Sequence, residues 1–194
     1  MAVLSAPSVV WHASWLEAHR EWGPGQHEDG FGLMVDDKVD SVVGFTSWVT
    51  RLSHDTQCTY WWITEGEEVL GGIALRHESH PLVPRAGHVG FGIRPTARRR
   101  GLASWALGHV LEEAHRLGMD DVLAICEVDN TASAKTLERH GGILETTPNG
   151  SPVLRYRMHT VPVRASKLLP ARTVIRSPSG RIRPFRLPHL AGAP

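Results

Sequence analysis

The sequence predicts an α/β (α+β) fold in which helices pack against a sheet. Three observations lead there. Apolar residues along the first 160 or so positions switch repeatedly between a spacing of 3.6 and a spacing of 2, the signatures of amphipathic helix and half-buried strand. Two β-rich runs, Thr59–Thr64 and Val69–Arg76, are joined by Glu65-Gly66-Glu67-Glu68 and so read as a hairpin. A strand-like run, Gly87–Ile93, passes through an arginine-rich turn with one glycine into a long amphipathic helix. At 194 residues the chain suffices for one well-buried domain with additional segments.

Taken in order, Val10, Trp11, Ser14, Trp15, Ala18 and Trp22 recur at helical spacing, and Gly23-Pro24-Gly25 ends that helix. A polar stretch follows to about Val39. Ser41–Leu52 mixes β-branched and helix-forming residues, and its pattern decides for neither state. After the hairpin comes the strand His88–Ile93, then a helix over Ala103–Leu117 with Ala103, Ala106, Leu107, Val110, Leu111, Ala114 and Leu117 on one face and Gly118 at its stop. Val122–Glu127 is a further strand, Thr131–His140 a second helix closed by Gly141-Gly142, and Val153–Met158 a last strand.

The formal net charge of +1 conceals an asymmetry. Pro162–Pro194 holds seven basic residues, no acidic ones and six of the 13 prolines, leaving the preceding residues with 14 basic against 20 acidic side chains. That predicts an acidic domain over residues 1–161 and a basic, Pro-rich extension over 162–194, flexible or loosely docked. The extension could serve as an arm for nucleic acid, but its charges are spread out and Phe185 is its one aromatic. No run of 18 apolar residues and no basic, cleavable leader pattern is present, so the expectation is a cytoplasmic protein without a membrane partner. Cys58 and Cys126 lie far apart and form no ligand pattern, as expected for reduced thiols. His27-Glu28-Asp29 and His77-Glu78-Ser79-His80 lack metal-site spacing, and no metal is expected.

The turn Arg94-Pro-Thr-Ala-Arg-Arg-Arg-Gly-Leu-Ala103 admits two readings. It is either a solvated basic connection or an anion site, since a helix start offers unpaired N–H groups and glycine lets the main chain approach a phosphate. Its surroundings decide. Arg98-x-x-Gly101-x-Ala103, between strand and helix, resembles the acetyl-CoA signature of the GNAT N-acetyltransferase superfamily. At the appropriate distance downstream, Asn130-Thr-Ala-Ser133 opens a helix that ends in Glu138-Arg-His-Gly141-Gly142, similar to the second half of the GNAT core. Arg76-His77, Gly87-His88-Val89-Gly90-Phe91 and Arg155-Tyr156 add to the likeness, which spans Trp11–Met158 and resembles a bacterial branch of the superfamily.

The resemblance implies a mixed, largely antiparallel twisted sheet with splayed central strands, and acetyl-CoA as co-substrate. It places Phe91, Gly92 and Ile93 along the pantetheine arm, with Gly90 and Gly92 leaving room for it. Arg98, Arg99, Arg100, Gly101, Leu102 and Ala103 would surround the pyrophosphate, with the arginines adding charge-assisted bonds. Asn130 would meet the amide arm while also serving as an ordinary N-cap, and Ser133 would face the cofactor or pack. The implied chemistry is direct attack of an amine on the thioester. Leu137 stands where the family usually has a proton-donating Tyr, which leaves Tyr156, Cys126, His140 or a water as donor. His88 is the first candidate base, because related branches place a Glu there, with His77 and Glu127 as alternatives.

The expected partner is therefore a small-molecule or peptide amine, and the resemblance also allows a homodimer. Trp11, Trp15, Trp22, Trp48, Trp61 and Trp62 would form core or interface sooner than an acceptor pocket. Two other functions compete. The substitution at Leu137 would fit a catalytically weak acyl-CoA-binding or regulatory protein, and Arg94, Arg98, Arg99, Arg100 and the extension would fit a nucleic-acid surface.

Overall fold

The computed structural model describes residues 1–23, 30–146 and 150–160. The basic extension and the His27-Glu28-Asp29 triplet lie outside the described residues. Strand β1 (Val3–Ser5) leads through a 3-10 turn (Val9–Trp11) into α1 (His12–Trp22), and α2 (Val42–Ser53) precedes the hairpin of β2 (Cys58–Glu65) and β3 (Glu68–Arg76). One helical turn, α3 (Val83–Ala86), connects to β4 (Val89–Ile93); a 3-10 turn (Pro95–Ala97) then leads to α4 (Leu102–Arg116). Next come β5 (Asp121–Glu127), α5 (Thr131–Arg139), β6 (Ile143–Leu144) and β7 (Val153–His159), the last element among the described residues.

The strands form one seven-stranded sheet in the order β1-β2-β3-β4-β5-β7-β6. Every neighbouring pair is antiparallel except β4 and β5, which run parallel. A mixed, largely antiparallel sheet flanked by helices is thus the architecture that the motif pattern implied. The undecided segment is helical. Ser41 caps α2 by accepting the Gly44 N–H at 3.0 Å, and Phe45, Trp48, Val49 and Leu52 fall on one buried face. Tertiary burial of that stripe outweighs the weak helix propensity of Val42, Val43 and Thr46. The pieces β1, α3 and β6 are too short for periodicity to reveal.

Because side chains alternate along a strand, the sheet carries two cores. One joins Ile73, Leu75, Val89, Val122, Ala124 and Tyr156 to Ala106, Leu107 and Val110 of α4 and Leu137 of α5. The other joins Trp62 and Val69 to Trp15 of α1, Phe45 and Trp48 of α2, and Phe31. Trp15, Trp48 and Trp62 are fully buried, with the Trp48 and Trp62 rings stacked at 5.5 Å. They are core, as large apolar residues at these spacings ought to be. Glycines make this core fit: a Cβ on Gly72 would meet the Phe31 ring at 2.9 Å, and one on Gly30 would meet the Gly90 carbonyl at 2.7 Å.

Candidate active site

The site begins where two parallel strands stop being a pair. Val89 and Ala124 are the one register pair between β4 and β5, supplemented by a bridge between Gly87 and Ala124. Beyond them β4 keeps β3 and β5 keeps β7, so the two strands fork and their facing main-chain groups have no ladder between them. A cleft of about 300 Å³ fills the fork. Val89, Gly90 and Phe91 line it from β4, Ala124, Ile125, Cys126 and Glu127 from β5, and Asn130, Ser133 and Leu137 from α5. Of the predicted cofactor residues, Phe91, Asn130 and Ser133 therefore meet here, while Gly92 and Ile93 continue along β4 outside this lining.

Asn130 caps α5 by accepting the Ser133 N–H on its side-chain oxygen at 3.1 Å. That role commits the oxygen and turns the amide NH2, a donor, to other use. Leu137 is fully buried, so the position offers the cleft an apolar wall and no hydroxyl. Cys126 is a buried free thiol on the cleft wall, and burial, followed by the nearby Glu127 and Glu138 carboxylates, pushes its pKa up, which keeps the proton on sulfur at neutral pH. The other donors named from the sequence are engaged elsewhere. The buried Tyr156 donates its hydroxyl proton to Glu138 at 3.1 Å, and burial pushes it up to about 12. His140 bonds Ser104 at 2.9 Å between α5 and α4, and burial lowers its pKa.

His88 sits at the root of the fork. Its main-chain N–H donates to the Leu123 carbonyl at 2.6 Å, and its ring Nδ1 accepts the Leu123 N–H at 2.8 Å. An imidazole accepting at Nδ1 carries its proton on Nε2, so the neutral ring offers no spare lone pair. Burial, ahead of the opposing pull of Glu78, lowers its pKa. His77 is likewise held, against Thr59 at 3.1 Å and the Thr56 carbonyl at 3.1 Å. Glu127 is the one carboxylate among the described residues that line the cleft.

The arginine-glycine turn lies past the end of β4. Arg99 has φ 62°, the one non-glycine in the left-handed region among the described residues, and Gly101 follows with φ 77° as the N-cap of α4. Having no side chain, Gly101 leaves the first-turn N–H groups of α4 without a side-chain cap. Left-handed residues in a turn are the backbone geometry from which anion-binding nests are built. The arginine side chains do more structural work than their sequence suggested. Arg98 Nε bonds the Ile93 carbonyl at 3.1 Å, curling the turn back on β4. Arg100 pairs with Glu65 of the hairpin at 2.5 Å. Arg94 is clamped by Glu21 of α1 at 2.6 Å, and the same carboxylate takes the Thr96 N–H at 3.3 Å and hydroxyl at 2.9 Å. Glu21 gave no signal in the sequence, since its partners lie more than 70 positions away. Burial works to raise its pKa, but the bonds from Arg94 and Thr96 prevail and the net shift is downward.

Comparison with known proteins fits this geometry. Several solved structures share the fold. The microcin C7 self-immunity acetyltransferase MccE, in complex with acetyl-CoA and AMP, is 16% identical with a TM-score of 0.60 over 81% of this chain and 92% of that one. RimL, a ribosomal L7/L12 alpha-N-protein acetyltransferase bound to coenzyme A, is 18% identical with a TM-score of 0.61, covering 81% and 93%. Mycobacterium smegmatis RimJ in complex with CoA-disulfide is 16% identical with a TM-score of 0.65, covering 81% of each chain. No curated protein matches the chain by sequence. The sequence pattern of the acetyltransferase (GNAT) family matches residues 3–142, and the chain belongs to that family.

Proposed function

We propose that this protein transfers the acetyl group of acetyl-CoA to a primary amine of a small molecule or a peptide. The observation that carries the reading is the fork. Among the described residues Gly90–Ile93 has a strand partner on the β3 side alone, so its other edge can pair with the amides of the pantetheine arm as an added strand. The arm would then run from the cleft beside Phe91, Gly92 and Ile93 to the turn at Arg98–Ala103, where the α4 N-terminus takes the pyrophosphate through the Gly101, Leu102 and Ala103 N–H groups. Arg99, exposed and next to that turn, supplies charge, and Arg100 can exchange Glu65 for phosphate. The Asn130 NH2 is the donor for an arm carbonyl, and Ser133 lines the same wall. MccE binds acetyl-CoA and RimL coenzyme A, in keeping with this assignment.

The acceptor amine attacks the thioester carbonyl as its neutral form, making the C–N bond. Glu127, alone or through a water, takes the proton the nitrogen sheds. The C–S bond then breaks, and the departing thiolate receives the proton of Cys126, which the cytosolic solvent restores. A general acid of this kind contributes about 10²-fold or more. The acidic body, 14 basic against 20 acidic residues before Pro162, attracts a cationic acceptor. RimL acts on a protein N-terminus, and a peptide N-terminus or lysine is an acceptor of the same chemistry. We place the catalytic domain in residues 1–161, with 162–194 as an appended arm, working in the cytoplasm as a monomer or homodimer.

The test has two stages. Titration with acetyl-CoA should raise the melting temperature, and free-thiol release against a panel of amines should then identify the acceptor. Binding without release for any amine would favour the acyl-CoA sensor that Leu137 suggests. No binding, with salt-dependent retention on DNA, would favour a nucleic-acid surface, a reading that the internal engagement of Arg94, Arg98 and Arg100 weakens.

A further inference from the structure

We infer that His88 is a positioning residue, a neutral clasp that sets where β4 and β5 part and thereby holds the fork in the shape that receives acetyl-CoA. A regular parallel ladder would give the Leu123 N–H to a main-chain carbonyl; here it goes to the His88 ring at 2.8 Å while the His88 N–H returns to the Leu123 carbonyl at 2.6 Å. The His88 carbonyl accepts the Arg76 N–H at 2.7 Å, so the one residue ties β3, β4 and β5 together immediately before Val89, the last position at which β4 and β5 pair. The inference rests on the fork being the acetyl-CoA site, and it gives that site a residue acting through the main chain rather than on the reacting atoms.

The clasp has a direction in pH. Its bond needs a lone pair on Nδ1, and an imidazolium would instead turn an N–H toward the N–H of Leu123. The charged groups facing the ring are Arg76 of β3, Glu78 just after it and Arg157 of β7; the arginines and burial oppose protonation, and Glu78 favours it. The closed clasp therefore persists at neutral pH and opens on acidification below the usual histidine range. If acetyl-CoA binds the closed form, its apparent Kd rises by about tenfold for each pH unit below the His88 pKa.

Asparagine is the discriminating replacement, because its side-chain oxygen can accept the Leu123 N–H near the place of Nδ1 and does not titrate. Acetyl-CoA affinity would be measured calorimetrically between pH 5 and pH 8 for wild type, His88→Asn and His88→Ala. Wild type should bind well at pH 8 and lose affinity in acid; H88N should match wild type within about threefold at pH 8 and stay flat. H88A should bind more weakly at both ends. Identical acid dependence in wild type and H88N would overturn the clasp, as would H88A binding like wild type. H88N that binds normally yet turns over about a hundredfold more slowly at pH 8 would make His88 the base instead. Absence of acetyl-CoA binding by wild type at pH 8 would remove the cofactor reading alone. The clasp is then judged by NMR: the Leu123 amide resonance must move with the His88 ring titration, and an amide indifferent to that titration refutes it.

Discussion

Cys126 and Glu21 show how much a residue's role depends on neighbours it meets through folding. Cys126 lines the cleft with its proton held on sulfur by burial, and the apolar Leu137 lines the same cleft. Cys126→Ala should lower kcat by about 10²-fold while acetyl-CoA affinity stays within about twofold, read by stopped thiol-release assays and calorimetry. Equal losses in kcat and affinity would instead assign Cys126 to packing. Glu21 acts at a distance from the cleft, by fixing Arg94 and Thr96 at the entry to the arginine-glycine turn. Its folded pKa lies below the ordinary carboxylate value of 4.5, so its contribution to stability is complete above that value and is lost as pH falls through the folded pKa. Glu21→Gln leaves the Arg94 guanidinium without its counter-charge and should cost about 1–3 kcal/mol at pH 7. The difference in melting temperature from wild type should shrink when both are compared below pH 4.

Among the elements, α4 and its preceding turn carry a backbone requirement that side chains do not. Gly101 sits at φ 77° with nothing within 4 Å of an added Cβ, so Gly101→Ala tests conformation without a clash. An L-residue held there costs about 1–2 kcal/mol. The expected outcome is a modest fall in melting temperature and a larger fall in acetyl-CoA affinity, because the N–H cradle loses its geometry. The turn was legible in the sequence since glycine and strand-to-helix context are local. Where its arginine side chains go was not: Arg94, Arg98 and Arg100 bind Glu21, a main-chain carbonyl and Glu65, partners brought near by the hairpin and by α1. For the same reason α2 was undecided until Phe45, Trp48, Val49 and Leu52 found Trp15 and Trp62 to pack against.

For the whole molecule, two cores on opposite sheet faces separate stability from chemistry. The aromatic cluster of Trp15, Phe31, Phe45, Trp48 and Trp62 shares no residue with the cleft lining. Trp48→Ala should therefore destabilise by about 3–5 kcal/mol in denaturant unfolding, with acetyl-CoA affinity per folded molecule nearly unchanged. Acetyl-CoA at a hundred times its Kd should add about 2.7 kcal/mol, and that increment should survive in the Trp48 variant. The sequence by itself determined the alternation of helices and strands, the family and the glycine-bearing turn, because periodicity, caps and turn chemistry act over a few residues. Tertiary structure fixed Val89 as the point where the strands expected to splay part, and it alone decided that His88 closes the root of their fork through Leu123, that Cys126 and Glu127 face the space between them, and that Glu21 braces the turn. Each of these joins segments at least 35 positions apart, and such meetings are fixed by how the two faces of the sheet bury their apolar residues.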